Sequence, residues 1–270
     1  MTSFGLWRLG AGEFRLKTLI ALPVYNEGAS VRGVVDGIRH YLSPHQSKII
    51  AINDGSTDHT EDQLRLIPEI EVLSHQQNLG YGAALASAFD FAIKGGYEAL
   101  VTIDADGQHD PVHLGNVLLA LSHCDIASGS RYLRQHDQDT AVPGDRQRIN
   151  RIITRELNDR LGLSLTDAFC GFKGYRVEGL KRLTITEAGY AMPIQLWVQA
   201  AMANLRIEEV AVPRIYLDPN RSFGAQLDQA EARLAYYRQV MEHEFAGLPN
   251  YPMPCCSGAL VHSASCGVWK

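Results

Sequence analysis

The chain has no apolar run near the roughly 18 residues needed to cross a bilayer, no lysine- and arginine-rich block, and no Cys-x-x-Cys pair. Each absence removes a class of function. The first removes a membrane-spanning helix. The second, with 25 Lys+Arg against 30 Asp+Glu and a formal net charge of −5, removes a general nucleic-acid binder, because phosphate backbones demand clustered positive charge. The five cysteines (Cys124, Cys170, Cys255, Cys256 and Cys266) are odd in number and support neither a disulfide framework nor a zinc site; they read as reduced thiols of a cytoplasmic protein. Arg8 and Glu13 interrupt the apolar residues of Met1 to Lys17, so no secretory leader is expected. A phosphate loop of the GxxxxGK[ST] type is missing. Gly80-Tyr81-Gly82 lacks the third glycine of a dinucleotide fingerprint, and its expected role is a tight helix entry that lets backbone approach a ligand.

The residues present suit a globular α/β protein: 270 residues, 46% hydrophobic and 20% charged. Apolar runs at 18–22, 48–53, 70–73 and 98–103 read as strands. Between them lie helical patterns: Val31, Val34, Val35, Ile38, Tyr41 and Leu42 on one face, then Asn78 to Lys94 closed by Gly95-Gly96. Asp110-Pro111 supplies an N-cap and N1 proline for a helix carrying Leu114, Val117, Leu118 and Leu121. This alternation, continuous to about Ser130, predicts a mostly parallel sheet with helices on both faces. Further on, helices are expected at 145–161, 190–204 and 225–245, a strand pair at 206–217, and an irregular tail at 247–270.

Ligands of open parallel sheets bind beyond the carboxyl ends of the strands. Three polar clusters stand there: Pro23 to Glu27, Asp54-Gly55-Ser56 and Asp104-Ala105-Asp106. Asp104 and Asp106 are two apart, with Gln108 close behind. Carboxylates this close repel and stay ionised most easily beside a cation. An oxygen-only donor set suits Mg²⁺ or Mn²⁺, whose open positions diphosphate oxygens can fill. His109 and His113 have H-x-x-x-H spacing, but Pro111 lies between them, and they are expected to be surface or capping histidines.

ALPVYNEG (21–28), INDGSTDHT (52–60), NLGYGAAL (78–85), DADGQHDP (104–111), GSRY (129–132) and DAFCGFKGYR (167–176) together resemble the family 2 glycosyltransferases of the GT-A fold, within them the dolichyl/polyprenyl-phosphate mannose synthase-like group. The resemblance implies a GT-A domain over 1–246, its nucleotide-binding half about 17–132 and its acceptor half about 133–246. It implies a nucleotide-sugar donor site. Pro23, Tyr25 and Glu27 match the first nucleotide-contacting segment. Asp54 matches the carboxylate that reads the base, Gly82 lies in a donor-side glycine segment, and Asp104, Ala105 and Asp106 match the D-x-D segment. Asp104, Asp106 and Gln108 would hold Mg²⁺ or Mn²⁺, Arg131 would lie near the phosphates, and Asp167 would be an acceptor-side acid or base.

The group's R-x-x-G-x-S-K loop element appears here as Arg221-Ser222-Phe223-Gly224-Ala225-Gln226-Leu227, which keeps the Arg and Gly and lacks the Ser and Lys. Arg221 is expected at the donor site. The resemblance thus implies a metal-dependent inverting glycosyltransferase using a UDP- or GDP-sugar. Its expected acceptor is a polyprenyl phosphate met peripherally at the inner face of the membrane, with a glycan or small-molecule hydroxyl as the alternative. An inactive sugar-nucleotide-binding protein is the alternative of another class.

Overall fold

The computed structural model describes residues 16–42, 47–217 and 222–248. Seven strands form one sheet: β1 (Thr18–Val24), β2 (Ser47–Asn53), β3 (Glu71–Ser74), β4 (Ala99–Thr102), β5 (Ile126–Ser130), β6 (Lys173–Arg176) and β7 (Ile207–Ala211). The order is β3-β2-β1-β4-β6-β5-β7, and every pairing is parallel except those of β6 with β4 and β5. The helices are α1 (Val31–Tyr41), α2 (Thr60–Arg65), α3 (Tyr81–Lys94), α4 (Leu114–Ala120), α5 (Gly144–Leu161), α6 (Val177–Leu180), α7 (Met192–Met202) and α8 (Ala230–Ala246).

Alternation along the strands explains the layering. Leu19 and Ala21 of β1 point into a core with Phe89 of α3, Ile153 of α5, Trp197 of α7 and Met241 of α8. Ile20, Leu22 and Val24 point the other way, toward Val35 and Ile38 of α1, Leu64 of α2 and Val117 of α4. The sheet is covered on both faces, which is why β1 and β4 are largely apolar. Each fully buried Leu or Ile contributes about 1.5–3 kcal/mol, so a charge at Ile20 or Ile38 would undo a face. Among the described residues no helix is long and apolar enough to cross a membrane.

The structure departs from the sequence expectations in several places. The strand pair at 206–217 is a single strand, β7. Pro213 cannot donate to a ladder, and the residues around it bind Thr140 instead: Thr140 N–H donates to Arg214 O (2.8 Å) and Tyr216 N–H to Thr140 Oγ1 (2.7 Å). β6, Lys-Gly-Tyr-Arg, has no apolar run to announce it. Helix α3 starts at Tyr81 rather than Asn78, because the chain before it is drawn to Asp54. Helix α8 starts at Ala230, preceded by a 3-10 turn over Ala225–Asp228. The expected N-cap holds, with Asp110 Oδ1 accepting from Val112 N–H (3.0 Å), but it opens a 3-10 turn that leads into α4. The expected tail lies outside the described residues beyond Leu248.

Candidate active site

A cleft of about 1010 Å³ opens along the carboxyl ends of β1, β2, β4 and β5, and it gathers most of the residues singled out by sequence. Pro23, Tyr25, Glu27, Asp54, Asp104, Ala105, Asp106, Gln108 and Arg131 all line it. Gly82 does not. It sits in α3 with its Cα against the 187–188 backbone, where an added Cβ would stand 2.1 Å from Glu187 O. Gly80 before it (φ +109) makes a similar approach to Ala188 O. At both glycines the backbone packs closely on the chain itself, and Gly80 also lines the cleft. Arg221 lies outside the described residues.

The end of the cleft at β1, β2 and β4, where a donor is expected, is built by loops that fasten one another. Asn26 takes a positive φ of 56° and accepts from Thr57 N–H at 2.8 Å, which ties the β1 and β2 loops together and leaves Tyr25 42% exposed at the rim. The Ser30 hydroxyl donates to Ala105 O (2.7 Å) and lies 3.0 Å from Glu27 Oε2. Asp54 is buried. Its Oδ1 contacts His75 Nδ1 (2.6 Å) and accepts from Leu79 N–H (2.9 Å), while Oδ2 accepts from Gly80 N–H (2.8 Å). His75 Nε2 is 2.9 Å from Ser87 Oγ. That Asp-His-Ser order resembles a nucleophile triad, but Ser87 does not line the cleft; the row serves to hold the 75–80 loop against β2.

Asp104 receives the Tyr81 hydroxyl at Oδ1 (3.1 Å) and meets His109 Nε2 at Oδ2 (3.2 Å). Asp106 accepts from Gln108 N–H (3.0 Å) and from its side-chain amide (2.6 Å). His109 was expected at the surface or in a cap. It is instead 6% exposed and packs on Phe172 with ring centroids 5.7 Å apart. Among the described residues no three His, Cys, Asp or Glu side chains form a ready-made cage. The donor set at the cleft wall is two carboxylates and an amide, all oxygen ligands, which fits a hard divalent cation completed by diphosphate oxygens.

The other end, where an acceptor is expected, was less visible in sequence. Arg131 at the end of β5 grips Asp167 with Nε to Oδ2 (2.7 Å) and Nη2 to Oδ1 (2.9 Å). Asn150 of α5 donates to Oδ1 at 2.7 Å, and the Arg131 and Phe169 N–H groups add two more bonds. Burial alone would raise the Asp167 pKa. The Arg131 charge, its hydrogen bonds and Asn150 override that and hold the carboxyl well below the usual carboxylate range. Asp167, expected as an acid or base, is 0% exposed, does not line the cleft, and has both oxygens hydrogen-bonded. Arg131 does line it, with Nη1 3.4 Å from Tyr216 Oη.

Arg146, Asn150, Tyr190, Tyr216, Phe223 and Arg233 complete this end, and sequence reasoning did not single them out. Phe223 lies between two guanidiniums, Arg146 at 4.7 Å and Arg233 at 4.5 Å from its ring centroid. Arg233 is itself anchored to Asp145 (2.5 Å) and Leu227 O (2.7 Å). The available signal was the arginine-rich start of α5, read only as a helix.

Comparison with known proteins places the chain in a family and a fold. The family described as "Glycosyl transferase family 2" matches residues 19–184. The polyprenol monophosphomannose synthase of Mycolicibacterium smegmatis is 30% identical over 213 residues, covering 73% of this chain and 76% of its own. The undecaprenyl-phosphate mannosyltransferase of Micrococcus luteus is 28% identical over 213 residues, covering 73% and 83%. The glucosyl-3-phosphoglycerate synthase of Mycobacterium tuberculosis, crystallised with Mn²⁺, UDP and glucosyl-3-phosphoglycerate, superposes with a TM-score of 0.65 at 21% identity, over 87% of this chain and 81% of that one. That likeness establishes the fold as GT-A. With a family match across most of the sheet and the donor end of the cleft, the chain is a glycosyltransferase and belongs to glycosyl transferase family 2.

Proposed function

We propose that the enzyme transfers a hexose from a UDP- or GDP-sugar to a polyprenyl phosphate, inverting the anomeric carbon. The observation that carries this reading is the segregation of charge in the cleft. Among the described lining residues, every acidic side chain (Glu27, Asp54, Asp104 and Asp106) belongs to the donor end, and every arginine (Arg131, Arg146 and Arg233) to the other. A hydroxyl acceptor needs a base beside it, whereas a phosphate arrives ionised and needs cations. The carboxylates that touch these arginines are already paired, Asp167 with Arg131 and Asp145 with Arg233. The names of the two mannosyltransferase relatives point the same way.

In this reading Tyr25 and Asp54 hold the base, and Asp104, Asp106 and Gln108 would hold Mg²⁺ or Mn²⁺. When bound, the cation supplies charge that stabilises the leaving diphosphate. Asp167 acts as a positioning residue. It fixes the Arg131 guanidinium so that the acceptor phosphate is oriented for attack on the face opposite the leaving group. Tyr190 and Phe223 provide apolar wall beside the arginines. A polyprenyl chain is embedded in lipid, so the enzyme would work peripherally at the cytoplasmic face of a membrane.

The test is transfer of radiolabelled hexose from GDP-mannose or UDP-glucose with Mn²⁺ or Mg²⁺, offering undecaprenyl or dolichyl phosphate, the matching unphosphorylated polyprenol, or free sugars. The expected product is organic-extractable label that requires the phosphate. Label on a sugar hydroxyl with none on polyprenyl phosphate would overturn the acceptor assignment. Undiminished turnover in EDTA would overturn the metal assignment.

A further inference from the structure

Asp104 is flanked by two side chains of the cleft wall, one on each carboxylate oxygen. Tyr81 donates to one carboxylate oxygen (3.1 Å) and His109 Nε2 faces the other (3.2 Å). Behind them, Gly171 presses so close that a Cβ there would stand 2.1 Å from Oδ2. The His109 ring is buried on Phe172, and its Nδ1 has no hydrogen-bond partner among the described residues. This asymmetry fixes the tautomer. A proton on Nε2 gives an N–H···O bond to Asp104, whereas a proton on Nδ1 alone would bury an unmet donor and set a lone pair against the carboxylate. A phenylalanine ring would fill the same space without leaving a polar atom unmet, so the imidazole's distinctive contribution is the bond to Asp104.

Tyr81 works from the opposite side. Its hydroxyl donates to Oδ1, the oxygen that His109 does not meet. Its ring is stacked on Tyr190 (centroids 5.8 Å apart, 15° between planes), which fixes where the hydroxyl points.

We propose that His109 and Tyr81 are positioning residues that lock the Asp104 carboxylate for the divalent cation and diphosphate of the donor. This rests on the donor reading given above. The two groups meet different oxygens, so together they stop the carboxylate from rotating about its terminal bond. Second-layer partners of this kind typically change metal affinity by about 10–100-fold when removed.

The test is Mn²⁺ titration of the full chain, monitored by loss of the free-ion EPR signal, with saturating UDP or GDP and no acceptor, so that no turnover is involved. His109→Phe and Tyr81→Phe are each expected to weaken Mn²⁺ binding about tenfold or more. His109→Gln, whose amide can donate toward Asp104, is expected to recover part of the loss. Nucleotide affinity measured in EDTA should stay at the wild-type value in all three, a readout that general loosening of the site would move. Tyr81→Phe removes one oxygen atom from a stacked ring and decides the matter even if His109→Phe folds poorly. Wild-type Mn²⁺ affinity in Tyr81→Phe and in a folded His109→Phe refutes the lock. Failure of the wild-type chain to bind Mn²⁺ with either nucleotide removes the donor reading and the lock with it.

Discussion

Replacing Asp167 by Asn separates two accounts of this residue that share a prediction for activity but not for stability. The carboxylate accepts five hydrogen bonds: Oδ2 takes the Arg131 N–H and Nε, while Oδ1 takes Arg131 Nη2, Asn150 and the Phe169 N–H. An asparagine oriented to keep the three bonds at Oδ1 turns its NH₂ onto two Arg131 donors. It also leaves a guanidinium whose side chain is 16% exposed without its counter-charge. Removing one partner of a buried ion pair costs about 3–5 kcal/mol, a large share of a total near 5–15 kcal/mol. At about 2–4 °C per kcal/mol for a chain of this size, Asp167→Asn should lower Tm by about 6–20 °C. The pH dependence stems from the depressed pKa. A carboxyl held below its unfolded value of about 3.9 contributes stability that is fully present above that value and lost as pH falls toward the folded one. The Tm gap between wild type and Asp167→Asn should thus be flat above about pH 5 and narrow below about pH 4.

Calorimetry and single-turnover kinetics on the same variants decide the point. If Asp167 positions Arg131, the double variant Arg131→Met/Asp167→Leu should recover much of the lost stability, because removing both charges leaves none unpaired. It should recover none of the activity. If Asp167 were a general base, Asp167→Asn would lose about 10²–10⁴-fold in rate with little change in Tm. A Tm within about 2 °C of wild type would refute the positioning account.

Gly171→Ala would force a Cβ into the space of Asp104 Oδ2; it should abolish Mn²⁺-dependent nucleotide binding, and a binding isotherm like the wild type's would count against the crowding. His75→Phe removes the bond to Asp54 and releases the 75–80 loop; the expected loss is about 1–3 kcal/mol of stability with a raised donor KM, checked by urea melts and initial rates. Arg146→Ala should raise the acceptor KM about tenfold or more, the worth of a charge-assisted hydrogen bond of about 1.5–3 kcal/mol, while donor affinity in an acceptor-free titration stays constant. Cys124 and Cys170 are buried, and burial pushes both thiols up to about 11; their peptides should remain unalkylated by iodoacetamide at pH 8 until the chain is unfolded, as mass spectrometry would show.

The donor half was readable because its signals are local. An apolar run, a polar cluster and an amphipathic helix succeed one another within about 30 residues, and the parallel sheet brings the clusters to one edge without long-range information. The acceptor half depends on pairings that local pattern does not encode. Lys173 opens β6 fully buried, its ammonium on the Cys170 carbonyl and 5.3 Å from the Trp197 ring, and no hydropathy pattern places a lysine there. His109 looked like a cap because Asp110-Pro111 comes next; its burial comes from Phe172, more than sixty positions away. Asp167 is expected as an acid or base from its motif position alone, and the guanidinium it pairs with lies 36 positions earlier.

The strand that sequence missed is also the one that assembles the site. β4 and β5 run parallel and both end at the cleft, so each delivers its trailing loop there: Asp104 to His109 after β4, Arg131 after β5. β6 is inserted between them and runs the other way, with Lys173 opposite Thr102 on one side and Ser128 on the other. Its start, not its end, therefore lies at the cleft, and the residues that precede it, Asp167 to Phe172, arrive between the loops of β4 and β5. From there Gly171 backs Asp104 and Phe172 packs His109 on the donor side, while Asp167 holds Arg131 on the acceptor side. A parallel strand in that place would have needed a crossover and would have presented its end to the cleft instead. One reversed strand thus brings into a six-residue segment the contacts that back the Asp104 carboxylate and hold the Arg131 guanidinium.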